Sequence, residues 1–307
     1  MGYNVSGLTA YVQENKDVIL REIVLGGEGG FTVEKLRKQL GVKTSERLHP
    51  MNVSTTLQEA TGCGFSADGE TVISERVVET AQAKVNDEWC EEDLLGKFAE
   101  YQVEIQAGKE KLPFEAEIMG QIVRNINKEV ERQIWVGDST SDALVDGFVT
   151  QAMIADSAST ITGTTASGAS AYEAILQTLN LIPEEILDDA VIFVSPAIFR
   201  EYIQDLVAAN LYHYDPANGA WEEMYIPGST VKVRKTYGLK GGWGKNHTEY
   251  IYASTYDNMV YAADLINAKE ELKVWFSDDN DVTRLKVRFN FGVKTLFPDA
   301  VVLVERA

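Results

Sequence analysis

The amino-acid sequence predicts an α+β protein, and three features of its hydrophobic pattern lead to that prediction. A single long amphipathic helix follows Pro113. Residues 140–262 combine helical patterns with short β-prone runs, which is typical of an α/β unit with a central sheet. Residues 272–304 are rich in β-branched and aromatic residues and predict a series of strands. A chain of 307 residues is long enough to bury a sizeable core in one or two domains.

Residues 1–62 are predicted to form an arm rather than a domain. A first amphipathic helix is followed by the glycine-rich stretch 26–30, which reads as a flexible linker. A second short helix is predicted between Thr32 as its N-cap and Gly41 as its stop. Two small helices bury little by themselves, so we expect them to need a partner surface. The first helix carries its apolar face at Leu8, Tyr11, Val12, Val18, Ile19 and Ile23.

Residues 63–86 are predicted to form an extended hairpin. Residues 67–70, Ala-Asp-Gly-Glu, read as a tight turn between two β-prone runs. The second run, from Thr71 to Val85, is interrupted by charged residues and has no clean apolar face. A hairpin without its own core tends to project and to pack on another surface. A plain edge hairpin is an equally good interpretation of the same pattern.

The long helix has the most regular pattern in the chain. Pro113 suits a first helical position, Gly137 suits a stop, and about 23 residues at ~1.5 Å each give a rod of roughly 34 Å. On periodicity alone, a long core helix of any α/β protein explains the pattern equally well. Its apolar stripe consists of Phe114, Ile118, Met119, Ile122, Val123, Ile126, Val130, Ile134 and Trp135.

The region after this helix is predicted to begin as a small, polar loop over residues 138–168. A capping box formed by Ser170 and Glu173 then starts a helix that Pro183 ends. Residues 191–194, Val-Ile-Phe-Val, predict a strand that is buried on both faces, and Ser195 caps the next helix. Further strands are predicted at 231–237, 250–254, 259–262, 272–276, 282–291, 293–297 and 300–304.

Composition excludes some classes of function. The formal net charge of −19 argues against general binding of a phosphate backbone, which needs a basic footprint. A negatively charged container wall would let an enclosed polyanion slide along it. Alternatively, the negative net charge simply keeps the protein soluble. No stretch approaches the ~20 consecutive apolar residues of a membrane span, and the N-terminus does not resemble a secretory signal. We therefore expect no membrane partner and a protein made and kept in a cytoplasm.

No motif with a chemical role fits the sequence. Residues 238–245 resemble a phosphate-binding loop but lack its first glycine and its final Ser or Thr. Residues 278–281 resemble the start of a calcium loop but lack its later glycine and glutamate. Cys63 and Cys90 lie in no zinc-binding or disulfide pattern, and no histidine lies near either. We therefore predict no catalytic, cofactor-binding or metal-binding residues, and a protein that is not an enzyme.

Two segments resemble the major capsid proteins of tailed bacteriophages. The first consists of residues 85–94, then 113–118, and ends with 131–138, and it is similar to that family's passage into its long "spine" helix. The second, residues 287–302, is similar to the strands that pack on the spine helix. Between them, residues 191–196 and the following helix resemble the strand-and-helix unit of the family's axial domain. Order and spacing match over roughly residues 60–307.

The resemblance implies a division of the chain and a function. It implies an N-terminal arm (1–62), an extended hairpin loop (63–86), a discontinuous peripheral domain with the spine helix (87–139 and 263–307) and an axial α/β domain (140–262). The implied protein is a non-enzymatic structural subunit. Its copies would form pentamers and hexamers, and these would close into an icosahedral shell around double-stranded DNA.

The resemblance also implies partners and a location. A long N-terminal helical segment that would act as built-in scaffold is absent from this sequence, so we expect a separate scaffolding protein, unless the chain is already mature. A portal is expected in the same shell, which places the protein in the virion and, during assembly, in the host cytoplasm. Some relatives join subunits through a Lys–Asn isopeptide bond, but no motif around Lys84 supports that chemistry here. Two alternatives remain, an encapsulin-type compartment with enzyme cargo and a soluble α/β enzyme.

Overall fold

The computed structural model describes most of the chain. The described residues are 5–26, 32–58, 68–90, 96–98, 100, 101, 103, 114–141, 143–166, 168–211, 222–239, 249–264, 271–277, 279 and 282–306. The part that is not described includes the predicted linker residues 27–30, residues 59–67, Pro113, and most of the two loops that resemble phosphate- and calcium-binding loops.

The described helices are few and one of them dominates. α3, the long helix, spans Phe114–Val136, as the apolar stripe predicted, and ends where the Gly137 N–H donates to the carbonyl of Gln133 at 3.0 Å. The other helices are α1 (Val5–Glu14), α2 (Lys16–Leu25), α4 (Phe148–Thr150, continued by a π-helical turn at Gln151–Ala155), α5 (Ala171–Leu181) and α6 (Pro196–Ala208).

The described strands form two sheets and a hairpin. They are β1 (Arg37–Leu40), β2 (Ser45–Leu48), β3 (Met51–Ser54), β4 (Glu70–Ile73), β5 (Arg76–Glu79), β6 (Ala81–Cys90), β7 (Ile161–Thr164), β8 (Val191–Val194), β9 (Glu223–Tyr225), β10 (Lys232–Lys235), β11 (Glu249–Ser254), β12 (Met259–Ala263), β13 (Glu271–Ser277), β14 (Val282–Thr295) and β15 (Val302–Arg306).

The first sheet is organised around the 14-residue strand β14. β14 pairs antiparallel with β6, β13 and β12, and β1 adds to β12 in parallel. One face of the sheet is apolar, with Leu285, Val287 and Phe289 buried in the same cluster as Val123 and Ile126 of α3. The alternation along β14 therefore places one face of this strand in the same core as the long helix. The predicted runs 282–291 and 293–297 form one continuous strand that ends at Thr295.

The second sheet has the order β7-β15-β11-β8-β10-β9 and carries α5 and α6. The capping box of Ser170 and Glu173 is present at the start of α5, and the Ser195 side chain accepts from the Ile198 N–H at the start of α6. Alternate residues of β8 face different cores. Phe193 lies in the core around α3, whereas Ile192 and Val194 face α5 and α6. The sheet therefore joins the two halves of the molecule.

Three predictions about the N-terminal region were wrong. The first helix is divided into α1 and α2, and Val18, predicted on its apolar face, is exposed. The helix predicted from Thr32 to Gly41 is a 3₁₀ turn at Thr32–Glu34 followed by strand β1. Parallel pairing with β12, which places Arg37 beside Val260, outweighs the local helical pattern.

The predicted limits of the hairpin were also wrong. β2 pairs with β5 and β3 with β4, so the first arm of the hairpin spans residues 45–54, which had been assigned to the N-terminal arm. The second arm, residues 70–79, continues directly into β6 of the first sheet. Residues 45–54 contain almost no apolar run, which is why their sequence gave no strand signal. The predicted turn at 67–70 begins outside the described residues.

Two later predictions also need correction. Residues 138–168 are not simply loop, because they include α4, the π-helical turn and β7. β15 pairs with β11 and β7 of the second sheet, so residues 302–306 do not share a sheet with β14. Leu303 nevertheless faces the core around α3. Short helices and strands made of small polar residues have no clear hydrophobic pattern. The alternation along a strand does not show which sheet that strand joins.

Candidate functional site

The hairpin presents an apolar face that no described part of the chain covers. Met51 is directly opposite Ile73 in the β3–β4 register, and Val53 is opposite Thr71. Because directly opposed residues share a side of the ribbon, these four side chains form one face, which we call the hairpin face. Met51, Val53 and Ile73 are 58%, 52% and 65% exposed. Contiguous exposed apolar surface of this kind marks an interaction site.

The base of the hairpin is anchored to the body by an ion pair. Arg76 Nη2 lies 2.6 Å from Asp156 Oδ2, and it also donates to the Thr295 carbonyl at 3.1 Å. Asp156 is buried, so its carboxylate depends on this partner. Val78, two residues after Arg76 on β5, is fully buried against Val42 and Ala262. The base is therefore held firmly while the face near the tip stays exposed.

The chain crosses itself closely where the hairpin meets β14. A Cβ atom on Gly292 would lie 2.0 Å from the Glu79 carbonyl oxygen, so only glycine allows this approach. Beside the crossing lies a cavity of about 360 Å³ lined by Glu79, Asp146, Gln151 and Lys294 among others. Burial, reinforced by the nearby Arg76 cation, lowers the pKa of Lys294. Gln151 Nε2 donates to the carbonyls of Asp146 and Val293 and so fixes the π-helical turn here.

A buried carboxylate ties the N-terminal segment to α3. Glu131 is 1% exposed and accepts from the Thr32 N–H at 3.1 Å, from the Thr32 hydroxyl and from Trp135 Nε1 at 3.2 Å. Burial raises the pKa of Glu131, although the hydrogen bonds from Thr32 and Trp135 act in the opposite direction. Gly238 lies against this group, because a Cβ there would be 2.3 Å from the Glu131 carbonyl oxygen.

A second polar group joins the N-terminal segment to the second sheet. Glu223 forms ion pairs with Lys35 and with Arg234, whose Nη1 atom lies 2.7 Å from Glu223 Oε1. Tyr256 Oη is 3.2 Å from both Glu223 Oε1 and Arg234 Nη1. Burial acts to raise the pKa of Glu223, but Lys35 and Arg234 together lower it. Together with Glu131, this group holds residues 32–35 against both halves of the molecule.

The sequence predicts no residues with a catalytic, cofactor-binding or metal-binding role, and this remains a prediction. Within the described ranges, no three His, Cys, Asp or Glu side chains are grouped so that they could hold a metal ion. Cys90 is exposed, and Cys63 lies outside the described residues. Of residues 238–245 only Gly238 and Leu239 are described, and both belong to a 3₁₀ turn that packs on α3. No helix among the described residues is long and apolar enough to cross a bilayer.

Comparison with known proteins identifies the fold. No protein-family model and no curated protein matches the chain. A chain of the satellite phage P4 procapsid, a structure that includes the size determination (Sid) protein, matches with a TM-score of 0.64 and 11% identity over 98% of this chain and 96% of that one. The fold is that of phage capsid proteins.

Two further capsid-fold structures support the same conclusion. The capsid of an empty GTA particle matches with a TM-score of 0.58 and 12% identity over 91% of both chains. Gordonia phage Cozz matches with a TM-score of 0.55 and 13% identity over 90% of this chain and 86% of that one. The predicted α+β capsid fold is therefore confirmed. We refer to α3 as the spine helix and to residues 45–54 and 70–79 as the arms of the hairpin.

Sequence reasoning missed most of the side chains that hold these parts together. Arg76 was noted only as a charge that spoils the apolar pattern of the hairpin, and Glu131 was not singled out. Glu131 did carry a signal, because it follows Val130 directly and precedes Trp135 by one helical turn on the apolar stripe of α3. An acidic residue in such a position needs buried partners. Which partners it has, however, is decided by the approach of Thr32, 99 residues earlier in the chain.

Proposed function

We propose that this protein is the major capsid protein of a tailed phage, whose copies form pentamers and hexamers that close into an icosahedral shell around double-stranded DNA. The observation that carries the proposal is the exposed hairpin face on a chain with the phage capsid fold. A two-stranded ribbon in water is marginal by itself. Its apolar face therefore favours a partner surface, and a second copy of the chain is the partner that a shell supplies.

The wider parts of the proposal concern partners and location. The shell subunit would act in the virion and would be assembled in the host cytoplasm. A separate scaffolding protein and a portal are the further partners that this role implies. Contact with the enclosed DNA would be independent of its sequence, in keeping with the net charge of −19. No catalytic step is part of the proposed role.

A pair of matched double variants tests the role of the hairpin face. Met51→Ser/Ile73→Ser removes a directly opposed apolar pair from that face, whereas Asn52→Ser/Val72→Ser changes the adjacent opposed pair on the other side of the ribbon. Both pairs are exposed in the monomer, so both variants should unfold within about 0.5 kcal/mol of the unmodified protein. Sedimentation velocity should show assembly of the Asn52/Val72 variant and loss of assembly of the Met51/Ile73 variant. Equal assembly of both variants would remove the hairpin face from the proposal.

A further inference from the structure

Asp156, at the base of the hairpin, has two cations within electrostatic reach, and they belong to different parts of the chain. Arg76 of β5 forms an ion pair with Asp156 at 2.6 Å and also donates to the Thr295 carbonyl from Nε and Nη2. Lys294 precedes Thr295 on β14, and the negative charge of Asp156 acts on its ammonium group. The hairpin therefore supplies one cation to Asp156, and the body of the molecule holds a second.

The second cation, Lys294, has no close partner of its own in this arrangement. Within the described part of the chain, its ammonium group forms no hydrogen bond and no ion pair. Its side chain is half-buried and lines the cavity of about 360 Å³ together with Asp146 and Glu79, which are both exposed residues. Burial and the positive charge of Arg76 both lower the pKa of Lys294. Lys294 is therefore a partly desolvated cation that Arg76 repels.

Asp156 itself is fixed to the body rather than to the hairpin. Its N–H donates to the Gln151 carbonyl at 2.8 Å, and its own carbonyl accepts from the Thr160 N–H at 2.9 Å. Its side chain is only 7% exposed. A buried carboxylate that loses its partner destabilises a protein strongly, because an uncompensated charge is left away from water. Displacement of the hairpin carries this cost unless another cation takes the place of Arg76.

We infer that Asp156 exchanges Arg76 for Lys294 when the hairpin leaves its position on the body. A lysine carries its charge on a flexible stem with three rotatable donors, so Lys294 can turn towards Asp156 once the guanidinium has gone. Among the three carboxylates that act on Lys294, Asp156 is the buried one, and a charge pair is strongest where water is excluded. The exchange lowers the free-energy cost of displacing the hairpin, so its base acts as a releasable latch. The latch depends on the fold alone and does not rest on the proposed function.

A double-mutant cycle between the two cations tests the exchange by urea unfolding. Arg76→Ala and Lys294→Met each leave Asp156 one cation, whereas the double variant leaves it none. The double variant should lose stability beyond the sum of the single variants by about tenfold in the unfolding equilibrium constant. Lys294→Met alone should be neutral or slightly stabilising, because it removes a cation that repels Arg76. Lys43 is exposed, and its carbonyl accepts from Asn290 of β14, so Lys43→Met is a matched control whose effect should add to that of Arg76→Ala.

Asp156→Asn separates the exchange from simple repulsion between the two cations. In the Asp156→Asn background no buried carboxylate is left to exchange its partner. The extra loss of stability in the double variant should therefore disappear or change sign in that background. Additive effects of Arg76→Ala and Lys294→Met in the unmodified protein overturn the inference. An extra loss that persists in the Asp156→Asn background also overturns it.

Hydrogen exchange provides a second test that needs no double variant of the two cations. In the latch, Lys294 stabilises the opened hairpin through Asp156, so Lys294→Met should make opening rarer. Amide exchange over β2 and β5 at the hairpin base should slow by about tenfold in this variant. The slowing should be absent when Lys294→Met is made in the Asp156→Asn background, and Lys43→Met should leave exchange unchanged. Unchanged or faster exchange in Lys294→Met, or slowing that persists in the Asp156→Asn background, overturns the latch.

Discussion

Glu131 on the spine helix accepts a hydrogen bond from the backbone N–H of Thr32 at 3.1 Å and another from the Thr32 hydroxyl. The two residues are 99 positions apart in the chain. Trp135 Nε1 shares the same carboxylate at 3.2 Å, so the start of the segment that leads into β1 is held by the helix at one point.

Substitutions at Glu131 should separate the effect of its charge from that of its hydrogen bonds. Glu131→Gln keeps an oxygen acceptor and should be at least as stable as the unmodified protein at pH 7, because burial disfavours the charged form. Glu131→Ala leaves Thr32 and Trp135 without their acceptor and should cost about 2–4 kcal/mol. Urea unfolding of the two variants at pH 7 measures this difference, and equal stability of both would contradict the arrangement.

The pH dependence of stability has a defined sign at this residue. Because burial raises the folded-state pKa of Glu131, the protonated carboxyl stabilises the fold at low pH. That contribution is fully present below the ordinary glutamate pKa of 4.5 and is lost as the pH rises through the raised value. The free energy of unfolding of the unmodified protein should therefore fall, relative to that of Glu131→Gln, as the pH rises from 4.5. A parallel pH profile for the two proteins would show that Glu131 does not titrate in this way.

A charge on the apolar stripe of the spine helix should disrupt folding. Ile126 is 6% exposed, and Ile126→Asp places an unpaired carboxylate in the core at a cost of about 3–5 kcal/mol. We expect insoluble or unassembled protein. The neighbouring Asn125 is exposed, so Asn125→Asp makes a matched control with little effect. Solubility and urea unfolding should be compared between Ile126→Asp and Asn125→Asp. Normal assembly of Ile126→Asp would mean that the apolar stripe is not a core surface.

The ion pair of Arg76 with Asp156 should hold the hairpin strands in place. Arg76→Ala leaves the buried Asp156 carboxylate without its ion pair and should cost about 1–3 kcal/mol. Arg47, whose side chain is 72% exposed in its pair with Glu75, provides the control, and Arg47→Ala should change stability by less than about 0.5 kcal/mol. Hydrogen exchange should speed up over residues 45–54 and 70–79 in the Arg76 variant alone. Equal protection in both variants would show that the base is held by other contacts.

Two glycine substitutions should act in opposite directions. Gly292→Ala would place a Cβ 2.0 Å from the Glu79 carbonyl oxygen and should cost about 1–3 kcal/mol through a backbone shift at the hairpin base. Gly120→Ala on the spine helix meets only the Arg124 side chain at 3.9 Å and should raise stability by about 0.5–1 kcal/mol. Thermal unfolding of both variants tests the pair. A tolerated Gly292→Ala would contradict the close crossing of the hairpin base over β14.

The parts of the fold that follow from periodicity could be predicted from the sequence. α3 and the strands near the C-terminus were predicted because their hydrophobic patterns are long and regular. The start of α5 was predicted from its capping box. β1 was taken for a helix because its structure depends on pairing with β12, more than 200 residues later, which the local pattern does not encode. β2 and β3 were missed because a projecting ribbon needs no core-facing alternation. These are long-range or core-free elements, where local patterning carries the least information.

The candidate surfaces were less predictable still. The exposed face of Met51, Val53 and Ile73 appears only once β3 is paired with β4, since the register decides which side chains share a side. The outward-facing cations of the first sheet likewise come together only because β6, from a distant part of the chain, pairs with β14 beside β13. The alternation of Lys286 and Arg288 with Val287 showed that these cations face outwards, but only the pairing brings them to Lys84 and Lys273.

Electron microscopy of the purified protein at high concentration tests the central claim most directly. Negative stain should show closed shells, rings or hexameric capsomers, either with the protein alone or after co-expression with a candidate scaffolding protein. Absorbance at 260 and 280 nm on the same fractions reports whether nucleic acid is enclosed. A compact monomer at every concentration, even with scaffold present, would contradict the assignment of this chain as a shell-forming subunit.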